Sequence, residues 1–311
     1  MHVTNGRVKS HGLRDASVAK PSRKPSRLTA QEALKLGVDR LLRAGVDSAQ
    51  LDMGLILAES LGTDRLHLYM DLDRPLTPIE QETARRMLAR RLHREPMAHI
   101  LGRRDFYDLT LEVTPGVLVP RPETELLVGR AIERLKAQNA PDVRLADVGT
   151  GTGAIAVAVA RHCPRSRWIA TDCSEEALCV ARRNAERHGV SDRIDFQRTD
   201  LLEGIEDHLD AVLANPPYVA EGDRASVAPE IARWEPPEAL FAGPDGLSVI
   251  RRLIHQAHAR ISPGGWLLLE CGAGQAPRIR HLLAETGAWD DLTTHRDLAG
   301  HERVIEATRR A

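Results

Sequence analysis

The stretch Leu145-Ala-Asp147-Val-Gly-Thr-Gly-Thr-Gly153 decides the fold of this 311-residue chain. A short apolar run passes directly into glycines that open a helix, which is typical of the first strand and turn of an α/β sheet. At the glycines, the main chain can approach a ligand more closely than any side chain would allow. A dinucleotide also suits this pattern, so the glycine cluster alone does not define the ligand.

From about residue 120 onward, predicted strands and helices alternate. This order predicts an α/β fold with a parallel sheet covered on both faces. The predicted strands cover residues 144–148, 168–171, 194–197, 210–214 and 265–270, with a closing pair at 292–295 and 304–307. Helices are predicted from Gly153, after Ser174, over residues 246–260 and from about Gln275.

A small helical domain is predicted for residues 29–95. Thr29-Ala-Gln-Glu32 is a capping-box sequence, Ser48 is a candidate cap for a second helix ending at Gly62, and Thr77-Pro-Ile-Glu80 opens a third helix. Residues 1–28 contain seven Lys or Arg, one acid and almost no large apolar residues. Such a segment cannot bury enough surface to order itself, so a disordered basic tail is predicted there.

A β-hairpin linker is predicted for residues 96–119, before a catalytic domain of residues 120–311. Tyr107, Leu109, Leu111 and Val113 alternate with polar residues, as in a half-buried strand. Thr114-Pro-Gly116 then forms a turn. We therefore expect residues 117–119 to supply the second strand of the hairpin.

Acidic residues follow three successive predicted strands and narrow the choice of ligand. Asp147 is placed to accept a hydrogen bond from the ammonium group of an amino-acid moiety, which NAD lacks. Asp172 comes 23 residues after Gly149, where a carboxylate grips ribose hydroxyls. Asp200 is placed to meet an adenine amino group, with Leu201 as apolar cover. This set favours S-adenosylmethionine, whose sulfonium methyl group transfers without a metal, so no metal is expected.

The motif Asn215-Pro216-Pro217-Tyr218 lies 62 residues beyond the glycine cluster and indicates the chemistry. Prolines have no N–H, so carbonyl oxygens dominate this main chain, and the Asn215 side chain adds an acceptor. Two acceptors can hold both hydrogens of an amide or exocyclic amine, while Tyr218 offers a flat face to a planar group. A proline turn ending a strand is the structural alternative. Together with the glycine cluster, the motif indicates methyl transfer to a weakly nucleophilic NH2 group.

The composition, 42% hydrophobic and 28% charged, is ordinary for a soluble globular protein. No apolar stretch approaches membrane-spanning length, and no secretory segment is recognised. The four cysteines show no CxxC pairing and no metal-ligand spacing, which favours a reducing cytoplasmic location. Beyond residue 28 the chain has 36 basic and 43 acidic residues, whereas duplex binding requires a basic face. Seven arginines between Arg85 and Arg104 form either a solvated helix face or a docking surface for an acidic or RNA-containing partner.

From about residue 29 to residue 309 the chain resembles the protein glutamine-N5 methyltransferases, most closely those acting on bacterial peptide-chain release factors. The resemblance implies a Rossmann-like class I methyltransferase sheet. Its strongest marks are Asn215-Pro-Pro-Tyr218, residues 147–153 and Pro120-Arg-Pro-Glu-Thr-Glu125. Supporting marks are Glu95-Pro96, Ile100-Leu-Gly102, Glu235-Pro-Pro-Glu-Ala-Leu240 and Asp297-Leu-Ala-Gly-His-Glu-Arg303.

The resemblance implies S-adenosylmethionine as cofactor and class 1 release factors as partners, methylated at the glutamine of their GGQ loop to modulate translation termination. The predicted cofactor-binding residues are Asp147, Gly149, Thr150, Gly151, Thr152, Gly153, Asp172, Asp200, Leu201 and Asn215. The predicted catalytic residues are Asn215, Pro216 and Tyr218, and substrate binding adds Pro217, Arg121, Glu123 and Phe106. Arg121 and Glu123 could instead pair on the surface, and Phe106 could pack in the core.

Two other functions are compatible with parts of the sequence. The same Asn-Pro-Pro-Tyr acceptors suit the exocyclic amine of a nucleic-acid base, but such an enzyme needs the base unstacked and usually a sequence-reading module. A non-catalytic nucleic-acid-binding or assembly protein could retain the cofactor fold and anchor through its basic tail. Neither direct DNA binding nor membrane contact is expected from the acidic body.

Overall fold

The computed structural model describes residues 1–2, 28–138 and 142–311. The predicted tail of residues 1–28 lies almost entirely outside these ranges. No helix within them is both long and apolar enough to cross a membrane.

The first part of the described chain is helical. Thr29 and Thr77 each accept the N–H of a glutamate three residues on, and each glutamate accepts the N–H of its threonine, so both predicted capping boxes are confirmed. Ser48 is the N-cap residue of the second helix, as predicted, but its side chain makes no capping hydrogen bond, because its ψ of 20° is not extended and its hydroxyl donates to Asp52 instead. The helices are α1 (Ala30–Arg43), α2 (Ala49–Ser60), α3 (Arg65–Met70), α4 (Pro78–Leu92) and α5 (Met97–Leu101).

A two-stranded hairpin follows, but its pairing differs from the prediction. Strand β1 (Arg103–Phe106) pairs antiparallel with β2 (Leu109–Glu112). Tyr107 adopts φ 57° in the two-residue turn between them, and its side chain is exposed. A turn this short lets neighbouring segments pair directly. Residues 117–119 therefore form no strand, and Val117 packs against Ala177 and Val180 instead.

The remaining strands form one seven-stranded sheet. They are β3 (Val143–Val148), β4 (Ser166–Asp172), β5 (Ile194–Arg198), β6 (Leu209–Ala214), β7 (Ile261–Glu270), β8 (Trp289–Arg296) and β9 (Glu302–Arg309). Their order in the sheet is β5-β4-β3-β6-β7-β9-β8. The first five strands in this order are parallel, and β9 pairs antiparallel with both β7 and β8. This confirms the predicted α/β class, with an antiparallel closing pair.

Helices cover both faces of this sheet because its central strands are apolar on both sides. The helices are α6 (Thr124–Gln138), α7 (Ala154–His162), α8 (Glu175–Arg187), α9 (Pro229–Trp234), α10 (Ser248–Arg260) and α11 (Ala276–Glu285). In β7, Leu268 packs with the cluster of α6 and α7, whereas its neighbour Leu267 packs with the cluster of α10 and α11. Helices α6 and α9 were not predicted.

Five of the seven arginines between Arg85 and Arg104 form ion pairs with carboxylates of the same chain. Arg91 is almost fully buried and contacts Asp52 at 2.7 Å and Glu230 at 3.0 Å. Arg94 holds the same Glu230 at 2.7 Å. These contacts join α2 and α4 to α9, which lies within residues 120–311. Further pairs are Arg85–Glu82, Arg90–Glu95 and Arg103–Glu59.

We expect Asp52→Ala to lower the free energy of unfolding by about 2 to 4 kcal/mol, because it leaves a buried guanidinium with one carboxylate partner instead of two. The matched control is Asp39→Ala, which removes an exposed pair with Arg43 and should cost under about 1 kcal/mol. Urea unfolding of both variants tests the difference. Equal costs would show that the buried pair adds nothing.

Candidate active site

The glycine cluster forms a tight loop between β3 and α7. The N–H groups of Gly149 and Thr150 both donate to the Thr171 carbonyl oxygen at 2.9 Å, which ties the loop to β4. Gly153, at φ 81°, then starts the helix. Asn184 of α8 is fully buried and donates to the carbonyl oxygens of Thr152 and Glu112. The loop is thus held from both sides.

Glycine is required in this loop for two different reasons. A Cβ on Gly153 would lie 3.1 Å from Ala181 Cβ, so this glycine allows α7 and α8 to pack closely. Gly149 and Gly151, at φ 72° and 55°, would meet no protein atom within 4 Å. They border a cavity of about 190 Å³. Their missing side chains leave main chain exposed to a ligand, which fits the predicted cofactor.

Asp147 supports this loop from inside the protein. Its carboxylate is fully buried and accepts from the Thr150 hydroxyl at 2.7 Å and the Ala156 N–H at 3.1 Å. Burial raises the pKa of Asp147 to about 6, against the effect of those two donors. It does not line the cavity. Both hydrogen bonds end on Oδ2, and the buried Oδ1 has no partner among the described residues, so the direct contact with an ammonium group stays a prediction.

Asp172 and Asp200 both line the cavity, but their carboxylates have different partners. Asp172 accepts from the N–H groups of Gly151 and Ser174 at 2.9 Å. Burial raises its pKa, and these donors oppose the shift. Asp200 is half exposed and pairs with Arg252 at 2.6 Å. The next residue, Leu201, adopts φ 54°, an unusual conformation for a branched side chain.

Asn215 lies where the first cavity meets a second one of about 750 Å³. Its Nδ2 donates to the Thr124 hydroxyl at 3.0 Å. Within the described residues, neither its Oδ1 nor the carbonyl oxygen of Pro216 accepts a hydrogen bond. One free acceptor therefore lies at the junction of the cavities, and the other belongs to Pro216, which borders the second cavity.

The rest of the Asn-Pro-Pro-Tyr motif is tightly packed. Pro217 borders the first cavity, whereas Pro216 and Tyr218 border the second. Gln275 donates to the Tyr218 carbonyl oxygen at 2.9 Å. A Cβ on Gly246 would come within 2.3 Å of that same oxygen. Burial raises the pKa of the Tyr218 hydroxyl to about 12, so it stays protonated.

Arg121 borders both cavities. It pairs at 2.6 Å with Glu235, which is almost completely buried. This pair is largely buried, so Arg121 does not form the surface pair with Glu123 that was the alternative. Burial raises the pKa of Glu235, and Arg121 opposes that shift. The Pro120–Glu125 segment is thereby joined to the Glu235–Leu240 segment above the two cavities.

Most of the predicted site residues meet at these cavities, and four do not. Phe106 is a correction: it is 1% exposed and packs in the core with the hairpin, α6 and α7, because its place at the end of β1 points it inward. Glu123, Asp147 and Gly153 also line neither cavity. Those at the cavities are Arg121, Gly149, Thr150, Gly151, Thr152, Asp172, Asp200, Leu201, Asn215, Pro216, Pro217 and Tyr218.

Two buried polar residues beside Asn215 were missed. Thr124 is the first residue of α6, and Glu270 is the last residue of β7. The sequence offered a weak signal for both. Thr124 lies within the Pro120–Glu125 motif, and Glu270 ends an otherwise apolar strand.

Comparison with known proteins decides the family. The chain is 38% identical over 283 residues to the release factor glutamine methyltransferase of Geobacter sulfurreducens, covering 91% of this chain and 97% of that one. It is 34% identical over 281 residues to the protein of the same name from Rhodopirellula baltica, covering 89% and 95%. The chain belongs to the release factor glutamine methyltransferase family. The predicted resemblance is confirmed.

Two family models match successive parts of the chain and agree with this family. Residues 32–102 match the PrmC N-terminal domain and residues 124–236 match the methyltransferase small domain. The solved hMettl16 catalytic domain, in complex with a 3'UTR hairpin, has a TM-score of 0.54 at 18% identity, covering 72% of this chain and 81% of that one. The T. thermophilus rRNA methyltransferase RsmC, in complex with AdoMet and guanosine, has a TM-score of 0.50 at 20% identity, covering 67% and 50%. These two structures share the fold.

We expect Gly151→Ala to weaken binding of S-adenosylmethionine at least about tenfold, since the methyl group would project into the first cavity. Gly189→Ala is the matched control, because Gly189 also has positive φ and open space around its Cβ position but lies outside the cavity. Both variants should lose about 1 to 2 kcal/mol of folding free energy. Calorimetric titration and urea unfolding separate the effects. Equal affinity in both variants would remove Gly151 from the cofactor site.

Proposed function

We propose that this protein transfers a methyl group from S-adenosylmethionine to the side-chain amide nitrogen of a glutamine in class 1 peptide-chain release factors. The proposal rests mainly on the position of Asn215, which lies at the junction of two cavities and whose Oδ1 accepts no hydrogen bond from the described residues. Family membership over about 90% of the chain supports the same reaction. We also propose, as predicted from the sequence, that class 1 release factors are the partners of this protein and that it acts in the cytoplasm.

The first cavity would hold the cofactor. Gly149 and Gly151 present main chain, Asp172 presents carboxylate oxygens that can accept ribose hydroxyls, and Leu201 offers apolar contact. Asp147 acts on this site through Thr150 and Ala156. When bound, S-adenosylmethionine supplies a sulfonium methyl group that needs no metal for transfer.

The second cavity would admit the glutamine side chain. Asn215 Oδ1 and the Pro216 carbonyl oxygen would accept the two N–H bonds of the carboxamide, and Tyr218 would pack against its plane. A carboxamide nitrogen is a poor nucleophile, because its lone pair is delocalised into the carbonyl group. As positive charge develops on that nitrogen, preorganised acceptors stabilise it more than they stabilise the ground state. The extra proton then leaves to water.

The arrangement also orients the reactants. Asn215 borders both cavities, so one side chain can contact the nucleophile and the face of the site where the methyl group arrives. The Arg121–Glu235 pair lies over the junction and would limit the entry of water.

Methylation of an exocyclic amine on a nucleic-acid base is the competing function. Two solved structures, an rRNA methyltransferase and a catalytic domain in complex with a 3'UTR hairpin, share the fold. The full-length relatives also include the N-terminal helical part. The arginines of that part are largely paired with carboxylates, which leaves less positive charge for phosphates. The release factor is therefore the favoured substrate.

We expect Asn215→Ala to lower kcat for release-factor methylation about 100- to 1,000-fold, by removing one acceptor of the developing charge. Cofactor affinity should change only a few-fold, because the glycine loop and Asp172 are untouched. The measurement uses methyl-labelled cofactor, with the label located by mass spectrometry.

The controls are a release factor whose GGQ glutamine is replaced and ribosomal RNA as an alternative substrate. Label on the intact release factor alone supports the proposal. Label on RNA would overturn the substrate assignment, and wild-type rates from Asn215→Ala would overturn the role of Asn215.

A further inference from the structure

Glu270 is an unusual residue for the end of an apolar strand. Its side chain has no solvent exposure, and neither carboxylate oxygen has a hydrogen bond of normal geometry from a described residue. Burying a carboxylate with so few partners costs folding free energy. Such a residue is expected to serve the site beside it.

The sheet register places Glu270 next to Asn215. Ala214 of β6 pairs with Leu269 of β7, so the following residues, Asn215 and Glu270, are neighbours at the carboxyl ends of adjacent parallel strands. Thr124, also buried, contacts Asn215 from the start of α6, with 3.0 Å between Oγ1 and Nδ2. The Thr124 hydroxyl lowers the pKa of the Glu270 carboxyl, which burial raises.

The contact with Thr124 determines which way the Asn215 amide faces. Its oxygen and nitrogen ends are similar in shape, so the hydrogen-bond partners decide its orientation. A threonine hydroxyl can accept from Nδ2 only while its own hydrogen points elsewhere. Glu270, beside Asn215 at the strand ends, has two buried acceptor oxygens without a partner among the described residues.

We infer that Thr124 and Glu270 are positioning residues: Glu270 orients the Thr124 hydroxyl, which holds Asn215 Nδ2 and turns Oδ1 toward the substrate cavity. The inference rests on the proposed function, in which Oδ1 accepts a hydrogen bond from the glutamine amide. If the amide were reversed, its NH2 group would face the substrate NH2 group, and donor would oppose donor.

The first test compares Thr124→Val, which keeps the shape and removes the hydroxyl, with Thr124→Ser, which keeps the hydroxyl. We expect Thr124→Val to lower kcat about 10- to 100-fold, as supporting residues commonly do. KM for the release factor and Kd for S-adenosylmethionine should stay within about threefold, and Thr124→Ser should restore kcat to within a few-fold of wild type.

The outcomes of this test are distinct. No methylation by the wild-type protein defeats the proposed function itself. An active wild type with equally active Thr124→Val overturns the inference alone. Equal loss in the valine and serine variants, or loss of cofactor binding, would show a packing role and also overturn it.

The second test uses pH. Burial raises the pKa of Glu270 to about 7, against Thr124. Glu123 also raises this pKa, whereas Arg303 and Arg121 lower it. The charge of Glu270 in turn raises the pKa values of Tyr218 and Cys271. Below this pKa, protonated Glu270 can donate to Thr124 and compete with Asn215. Wild-type kcat should therefore fall as pH drops from 8 to 6, whereas Glu270→Gln should lack this decline.

Asp147, with a pKa of about 6, remains in both proteins and serves as an internal reference for titration of the glycine loop. Thermal unfolding and cofactor affinity of Glu270→Gln establish that it is folded. A folded variant that retains the wild-type pH profile would overturn the role of Glu270.

Discussion

The parallel pairing of β3, β6 and β7 is the constraint on which the site depends. Val148 pairs with Ala214, and Ala214 pairs with Leu269, so three chain segments leave the sheet at one level. The residues that follow are Gly149, Asn215 and Glu270. One segment becomes the glycine loop, the next presents Asn215, and the last ends in the buried acid. Because side chains at equivalent register points face the same way, a shift of one residue in β6 would turn Asn215 to the other face of the sheet.

Local sequence was sufficient for features that depend on local chemistry. Closely spaced glycines, capping-box threonines and the prolines after β6 each restrict the backbone within a few residues, so the loop, two helix starts and the acceptor motif could be predicted. The hairpin was predicted with the wrong partner, because Tyr107 continues the apolar alternation in sequence but occupies the turn. Burial also decided against Phe106 in the site, since the sequence does not show which side of β1 meets the core.

The residues that sequence analysis missed owe their roles to contacts between distant segments. Thr124 and Asn215 are 91 positions apart, and the partners of Arg121 and Arg94 lie 114 and 136 positions away. Asp147 is a different case. Its position near the end of β3 predicts a ligand contact, and the structure adds a second role, because its Oδ2 accepts hydrogen bonds from the Thr150 hydroxyl and the Ala156 N–H and so supports the loop. A carboxylate near a strand end can thus act on a ligand site through the loop that it supports.

The shared carboxylate of Glu230 links two parts of the chain that have separate hydrophobic cores. It accepts hydrogen bonds from Arg91 of α4 and from Arg94, which follows the end of α4, while Arg94 also donates to the Gly45 carbonyl oxygen at 2.6 Å. Five residues later, Glu235 reaches Arg121 over the catalytic junction. A macromolecule that binds the helical part of the chain would therefore act on the rim of the second cavity through these ion pairs and the six residues, 230–235, that join them. Binding far from the site and alignment at the reacting nitrogen would then be mechanically coupled.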